Sequence, residues 1–324
     1  MGSMTDITRS HPARPDADRH GIVVRAAWLY YKDALTQAEI ADRLFVSRAT
    51  VGRLLEEARA EGIVRIEISA DHLAAFQLSE DLRAQYGLAD AVVVPRISGD
   101  ATRERANGRV ASAAAEYVKR FLRPGAVIGI AWGDTVARVL FALSRDSLEG
   151  VTFVAIAGGI DTYTRDVYAR NTNGVNEHLR IIPAPLLASS PKIAAALRQD
   201  ESVTSAVRLA ETAVATLTGI GSSGPDASAV RSGLITEDQA REFRTLGVVG
   251  DMVGEWFDGQ GRLVRKATSD RKIGMGIEHL RQLPSVIGVA SGVEKVEAIR
   301  GAISGGYLRV LITDESTAEA LLAR

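Results

Sequence analysis

The chain contains no cysteine, so neither a disulfide nor a thiolate metal site can form, and the pattern fits a reducing compartment. Its five histidines, His11, His20, His72, His178 and His279, stand apart at no ligand-like spacing. That predicts no metal site, and no His lies near a Ser or Asp motif to suggest a catalytic triad. No apolar run reaches the roughly 18 residues needed to span a bilayer. The N-terminus, polar and Pro-containing through Asp18, reads as no signal peptide, which makes the expected location cytoplasmic, away from any membrane. Neither sign of charge dominates: 39 Lys and Arg face 40 Asp and Glu, a net of −1, so nothing in the balance points to a polyanion. Internal repeats of solenoid period and low-complexity segments are absent too. Met1-Gly2-Ser3 before Met4 reads as a cloning remnant.

What the chain does have is length enough for two domains, 324 residues, one small and one large. Residues 1–19 read as disordered, and His20 to Ala34 as the first helix of a three-helix head. Thr36-x-x-Glu39 is a capping box, in which each side chain satisfies the other residue's free N–H. Ile40 and Leu44 supply that helix with a buried stripe, and Leu44-Phe45-Val46 forms the turn. Ser47 caps the following helix. Val51, Leu54, Leu55 and Ala58 recur at helical spacing and dock it on its neighbour. Ala49, Gly52, Arg53 and Glu56 are left outward, with Arg48 and Thr50 at the flanks.

This is a helix-turn-helix, residues 20–68 in all, closed by a strand over Ile63–Ile68. A recognition helix reads base edges with its N-terminal residues while the preceding helix crosses the phosphates. The candidate DNA-binding residues are therefore Thr36, Gln37, Ser47, Arg48, Thr50 and Arg53. Arg53 is the first choice for guanine, whose O6 and N7 accept two hydrogen bonds from a guanidinium. Residues 1–65 hold ten Lys and Arg against nine Asp and Glu, so a single head binds weakly and at least two must act together.

Residues 69–90 carry Leu73, Phe76, Leu78, Leu82 and Tyr86 at helical spacing. Two readings stand: a linker helix that joins chains, or a helix packed on its own domain. From residue 91 to 324, apolar β-type runs alternate with helical patterns. The runs are Ala91–Val94, Ala126–Ala131, Val151–Ala157, Ala213–Ile220, Ser285–Ala290 and Leu308–Thr313; the helices include Ala101–Leu122, Ala194–Glu211 and Glu294–Ser304. The alternation predicts an α/β domain with a parallel sheet covered on both faces.

Ligands of such sheets bind beyond the carboxyl ends of the strands. Three places there suit an anionic ligand. Trp132-Gly133-Asp134-Thr135 ends a strand and starts a helix, where Gly133 permits close approach and free N–H groups favour phosphate. Thr135 adds a hydroxyl, and Asp134 adds an opposing charge unless it caps the helix. Ser291-Gly292-Val293-Glu294-Lys295 repeats the arrangement with a lysine. Gly158-Gly159, Gly219-Ile220-Gly221 and Gly250-Asp251 form the third group, where an aspartate at a loop accepts from sugar hydroxyls. Glycine at a strand–helix turn is also ordinary turn geometry, so it is the repetition that counts.

Taken together, the head, GIAWGDTVARVL, GIGS, GDMVGEWFDGQG and the tail from GVASGVEKVEAIRG to TAEALL resemble the SorC/DeoR-type sugar-binding transcriptional regulators over residues 20–324. The resemblance implies an N-terminal helix-turn-helix head and a Rossmann-like effector domain similar to sugar-phosphate isomerases and deaminases. It implies that Gly133, Asp134, Thr135 and Lys295 hold a phosphate and Asp251 the sugar, with Gly221 beside them. It also implies dimers or tetramers on a palindromic operator of double-stranded DNA, with no cofactor. Two positions depart from the pattern: Gly52 stands where a serine is expected and Phe45 where the turn often has glycine. Tyr163–Asn176 matches poorly, and effector identity is expected to depend on it. The competing reading is an isomerase, deaminase or aldolase with an appended head, in which Lys192, Lys266, Lys272 or Lys295 forms a Schiff base; none of the four has an obvious base beside it in the sequence.

Overall fold

A computed structural model describes residues 15–66, 70–97, 103–159, 174–267 and 270–323. It divides into two compact units, residues 1–69 and 70–324.

The smaller unit is three helices: α1 (Pro15–Tyr31), α2 (Gln37–Leu44) and α3 (Arg48–Ala60). α1 starts at Pro15, inside the stretch expected to be disordered; proline at a first helical position loses no useful donor, which suits it to a helix start. The capping box forms as read, with Glu39 accepting from the Thr36 N–H at 2.8 Å and Thr36 Oγ1 from the Glu39 N–H at 3.3 Å. Ser47 Oγ accepts from the Thr50 N–H at 3.1 Å and opens α3. Val23, Ala26, Ile40, Val51, Leu54, Leu55 and Ala58 make the core. No strand forms over residues 63–66. The chain instead turns at Gly62, in the left-handed region at φ 73°, and the Val64 N–H donates back to Ala58 O, ending α3 and leaving no partner for a ladder. The rest of the expected strand lies outside the described residues.

The larger unit begins with α4 (Ala70–Tyr86), which packs on its own unit through Ala75 and Leu82 while Leu73 and Phe76 remain exposed. Its Ser79 hydroxyl accepts from the Val93 N–H. Seven strands follow in one parallel sheet: β1 (Asp90–Val94), β2 (Val127–Ile130), β3 (Thr152–Ala155), β4 (Leu179–Arg180), β5 (Ala215–Gly219), β9 (Val286–Val289) and β10 (Val310–Asp314). Their order across the sheet is β1-β10-β9-β5-β2-β3-β4. Each of the six apolar runs read from the sequence is one of these strands; the two-residue β4 at the edge carries too short a pattern to read.

Helices α5 (Arg103–Lys119), α6 (Asp134–Ala142), α7 (Pro191–Gln199), α8 (Glu201–Glu211), α11 (Val296–Ser304) and α12 (Glu315–Leu322) connect and flank the strands. The single helix expected over Ala194–Glu211 is two. Asp200, extended at φ −65° and ψ 133°, ends α7 and caps α8 by accepting from the Ser202 N–H, a local bond that competes with helix continuation. Ile128, Ile130, Leu217, Ile287 and Ile312 belong to one buried cluster and Val154, Ile156, Val286, Leu311 and Tyr307 to another, so the sheet is apolar on both faces.

A three-stranded antiparallel sheet was not expected. It consists of β6 (Gly221–Ser222), β7 (Val248–Met252) and β8 (Glu255–Asp258), in that order. Its tight turn is Val253-Gly254, with both residues at positive φ, 50° and 77°. Two positive φ values are what a two-residue hairpin needs to match the right-handed twist of its strands. With it come α9 (Ser228–Arg231) and α10 (Glu237–Thr245), packed around Phe243 and Trp256.

Candidate functional site

The strand order places one topological switch in the parallel sheet. From β2 the chain moves outward to β3, whereas from β5 it moves the other way to β9, and β2 and β5 are hydrogen-bonded neighbours. The loops leaving β2 and β5 therefore diverge to opposite faces, and a crevice opens between them. A cavity of about 420 Å³ occupies that crevice.

Gly133, Asp134, Thr135, Gly221, Asp251 and Lys295 all line it, drawn from four segments that are far apart in the chain. Gly133 precedes α6 at φ 150°, and no side chain caps the helix, so the first N–H groups of α6 are left without an intrahelical acceptor. Asp134 does not cap the helix either. Its Oδ2 accepts from Arg138 Nε at 2.7 Å, and that pair raises the Arg138 pKa and offsets the carboxylate charge at the helix start.

Lys295 is 9% exposed and stands just before α11. Its turn is pinned by the Gly292 N–H, which donates to Thr317 Oγ1 at 2.8 Å and to Asp314 Oδ2 at 3.1 Å. That amide is therefore not offered to a ligand.

Asp251 lies on β7, opposite Gly221 of β6, and not in a loop as expected. Burial pushes its carboxyl up to about 6, against the opposing pull of Lys295 and of the Gly254 N–H. Asp251 is only half-buried and is one of the residues lining the cavity. A Cβ at Gly221 would fall on the Asp251 carboxylate oxygen, so a larger residue fits there only if that carboxylate shifts.

The glycine pair Gly158-Gly159 has a packing role. A Cβ at Gly158 would strike the Pro185 carbonyl, and one at Gly159 the Trp132 ring. That ring lines the cavity and is fixed by its Nε1, which donates to Ala157 O at 2.9 Å.

Sequence reading missed Asn107 of α5, which accepts from Ser291, and Ser228, Arg231 and Ser232 at and beside α9. These residues stand on helices remote in sequence, with no spacing to single them out. Most of Tyr163–Asn176 lies outside the described residues, so the segment expected to set effector identity contributes no geometry.

Two lysines of the enzyme reading do have carboxylates nearby. Asp251 is the first, beside Lys295. The second is Glu255, whose Oε2 lies 3.7 Å from Lys272 Nζ. Lys272 is 4% exposed, donates to Met275 O, and is pushed down to about 8 by burial, but it lies in a different cavity. Among the described residues no group of His, Asp and Glu is placed to hold a metal ion. No described helix is long and apolar enough to cross a membrane.

In the smaller unit, Thr36, Gln37 and Arg48 share one open depression with Tyr30. The Thr36, Ser47 and Thr50 hydroxyls are engaged in the helix starts. Arg48 and Arg53 are exposed on α3, and among the described residues neither side chain has a hydrogen-bond or ion-pair partner.

Residues 71–323 match the family described as "Putative sugar-binding domain", and residues 26–73 match the MarR family. The transcriptional regulator LsrR of Escherichia coli K12 is 36% identical over 93% of this chain and 94% of its own. LsrR of Klebsiella pneumoniae is 33% identical over 93% of each. The crystal structure of the full-length sorbitol operon regulator SorC from Klebsiella pneumoniae superposes with a TM-score of 0.71 at 30% identity, covering 94% of this chain and 99% of that one. The chain belongs to the SorC family of sugar-binding transcriptional regulators. As a member of that family it is a DNA-binding, sugar-sensing regulator and not an enzyme, with a helix-turn-helix in its smaller unit and a sugar-binding α/β domain in its larger one.

Proposed function

We propose that this SorC-family chain controls a carbohydrate catabolism operon from the cytoplasm and that a phosphorylated sugar, bound in the β2–β5 crevice, is its effector. One observation carries the reading: an uncapped helix start, a buried lysine and a half-buried aspartate converge on a single cavity. A phosphate needs donors and positive potential, which the α6 amides, Thr135 and Lys295 provide. The hydroxyls of the sugar need acceptors, and Asp251 provides those. A volume of about 420 Å³ lies near the lower end of the range for small-molecule pockets, which suits one monosaccharide better than an oligosaccharide.

Arg48 and Arg53 are the side chains proposed to reach bases, with Thr36, Gln37, Ser47 and Thr50 near the phosphates. Two heads on a palindromic operator require at least a dimer, and exposed Leu73 and Phe76 on α4 support pairing of chains, as dimer or tetramer. The effector shifts the population of head arrangements only by its differential affinity for them.

The test is thermal stability of the full chain against matched phosphorylated and free sugars. A ligand at a hundred times its dissociation constant stabilises the native state by about 2.7 kcal/mol. A phosphorylated sugar that raises the melting temperature and changes the footprint on the chain's own promoter supports the reading. Free sugars that stabilise as well as their phosphates refute the phosphate assignment.

A further inference from the structure

Among the described residues, three glycines sit inside helices with open space where a Cβ would stand: Gly21 in α1, Gly52 in α3 and Gly108 in α5. A glycine in a helix interior disfavours that helix about fivefold relative to alanine. Among the described residues no neighbour requires the glycine at residue 52, so the unbound head carries this cost with no packing return.

Gly52 differs from the other two in what surrounds it. Ala49, Gly52, Arg53 and Glu56 fall on one face of α3 by helical spacing, opposite the buried Val51, Leu54, Leu55 and Ala58. Arg53 follows it directly, and Arg48 stands one turn earlier, both exposed. This is the face of the DNA-binding motif on which two cations await partners.

We infer that Gly52 is a specificity-determining position, left without a side chain so that the edge of a base pair fills that space when α3 lies in the major groove. The inference rests on α3 being the recognition helix. Atoms in contact sit about 3.5–4.0 Å apart, so an added methyl at closest approach would lift the helix off the bases and draw Arg53 back from its acceptors. The contact is with a base edge and not with phosphate, so it affects the preferred sequence and leaves general affinity alone.

The test uses the full-length chain and the duplex that it selects from a random-sequence pool. Gly52→Ala should slow amide exchange in α3 about fivefold, yet weaken binding to the selected duplex by roughly tenfold or more. Binding to an unrelated duplex and its salt slope should not change. Gly52→Ser should bind the selected duplex no better than Gly52→Ala. Gly21→Ala, a matched helix-interior change in the same unit, should leave the selected duplex bound as tightly as before.

The inference is overturned if Gly52→Ala binds that duplex undiminished, or if Gly21→Ala loses as much. If Arg53→Ala also binds it undiminished, the placing of α3 in the groove fails first. If Arg53→Ala loses affinity and Gly52→Ala does not, only the role of Gly52 fails.

Discussion

Asp251 and Gly221 face each other across the β6–β7 pair, and the carboxylate of the first occupies the volume that a side chain on the second would need. Replacing Gly221 by alanine therefore moves the acidic group out of the crevice. We expect Gly221→Ala to cost roughly 1–3 kcal/mol of stability in the larger unit through overpacking. Response to the effector should be lost while binding of DNA without effector persists, which titration of a labelled operator fragment would show.

The titration of Asp251 gives a stability profile with a definite sign. Folding raises its pKa from 3.8 to about 6, so between those values the native chain keeps a proton that the unfolded chain has released. The contribution of this group to stability is full at the acid end and is lost as pH rises through about 6. Asp251→Asn removes that slope. Chemical denaturation of the ligand-free protein at several pH values should show the variant gaining on the parent as pH climbs from about 4 to about 6, with the gain level above that.

Lys295 supplies the buried positive charge of the crevice. A hydrogen bond to a charged group contributes roughly 1.5–3 kcal/mol. Lys295→Met should thus weaken a phosphorylated effector by about ten- to a hundredfold while changing affinity for the free sugar far less. Calorimetric titration with both ligands separates the two. Equal losses for both would remove the lysine from phosphate binding.

Phe45 combines two costs, 94% exposure and a left-handed backbone at φ 56° and ψ 42°. An L-residue in that region gives up roughly 1–2 kcal/mol that glycine does not. Phe45→Gly should therefore stabilise the head by about 1 kcal/mol, readable as slower amide exchange in α2 and α3. A destabilised head would mean that the ring packs on something the isolated chain does not contain.

Arg53→Ala should cost roughly 1–3 kcal/mol against the selected operator and relax preference at one base pair per half-site. Gel-shift competition with single-base variants measures this. An unchanged preference at every position would take Arg53 out of base readout.

The sequence was most legible where one rule acted alone. Capping residues at Thr36 and Ser47 marked two helix starts, and doubly buried runs such as Val151–Ala157 marked the strands. It was less legible where a local bond competes with a periodic pattern, as at Asp200, which splits one apparent helix in two. The hairpin bearing Asp251 escaped notice because its turn uses Val253, a β-branched residue at positive φ, where Asn or Gly would have announced it. Gly133, Thr135 and Lys295 were readable because each follows a strand. Asn107 and Arg231 were not, since only the tertiary fold brings α5 and α9 to the same crevice.

Ile220 alone separates β5 from β6. The hairpin that carries Asp251 thus hangs from the middle of the parallel sheet with no slack in its tether. A molecule that tugs on the carboxylate tugs on the central ladder as well, and protection of the β5 amides should report occupancy of the crevice as faithfully as any group that touches the ligand.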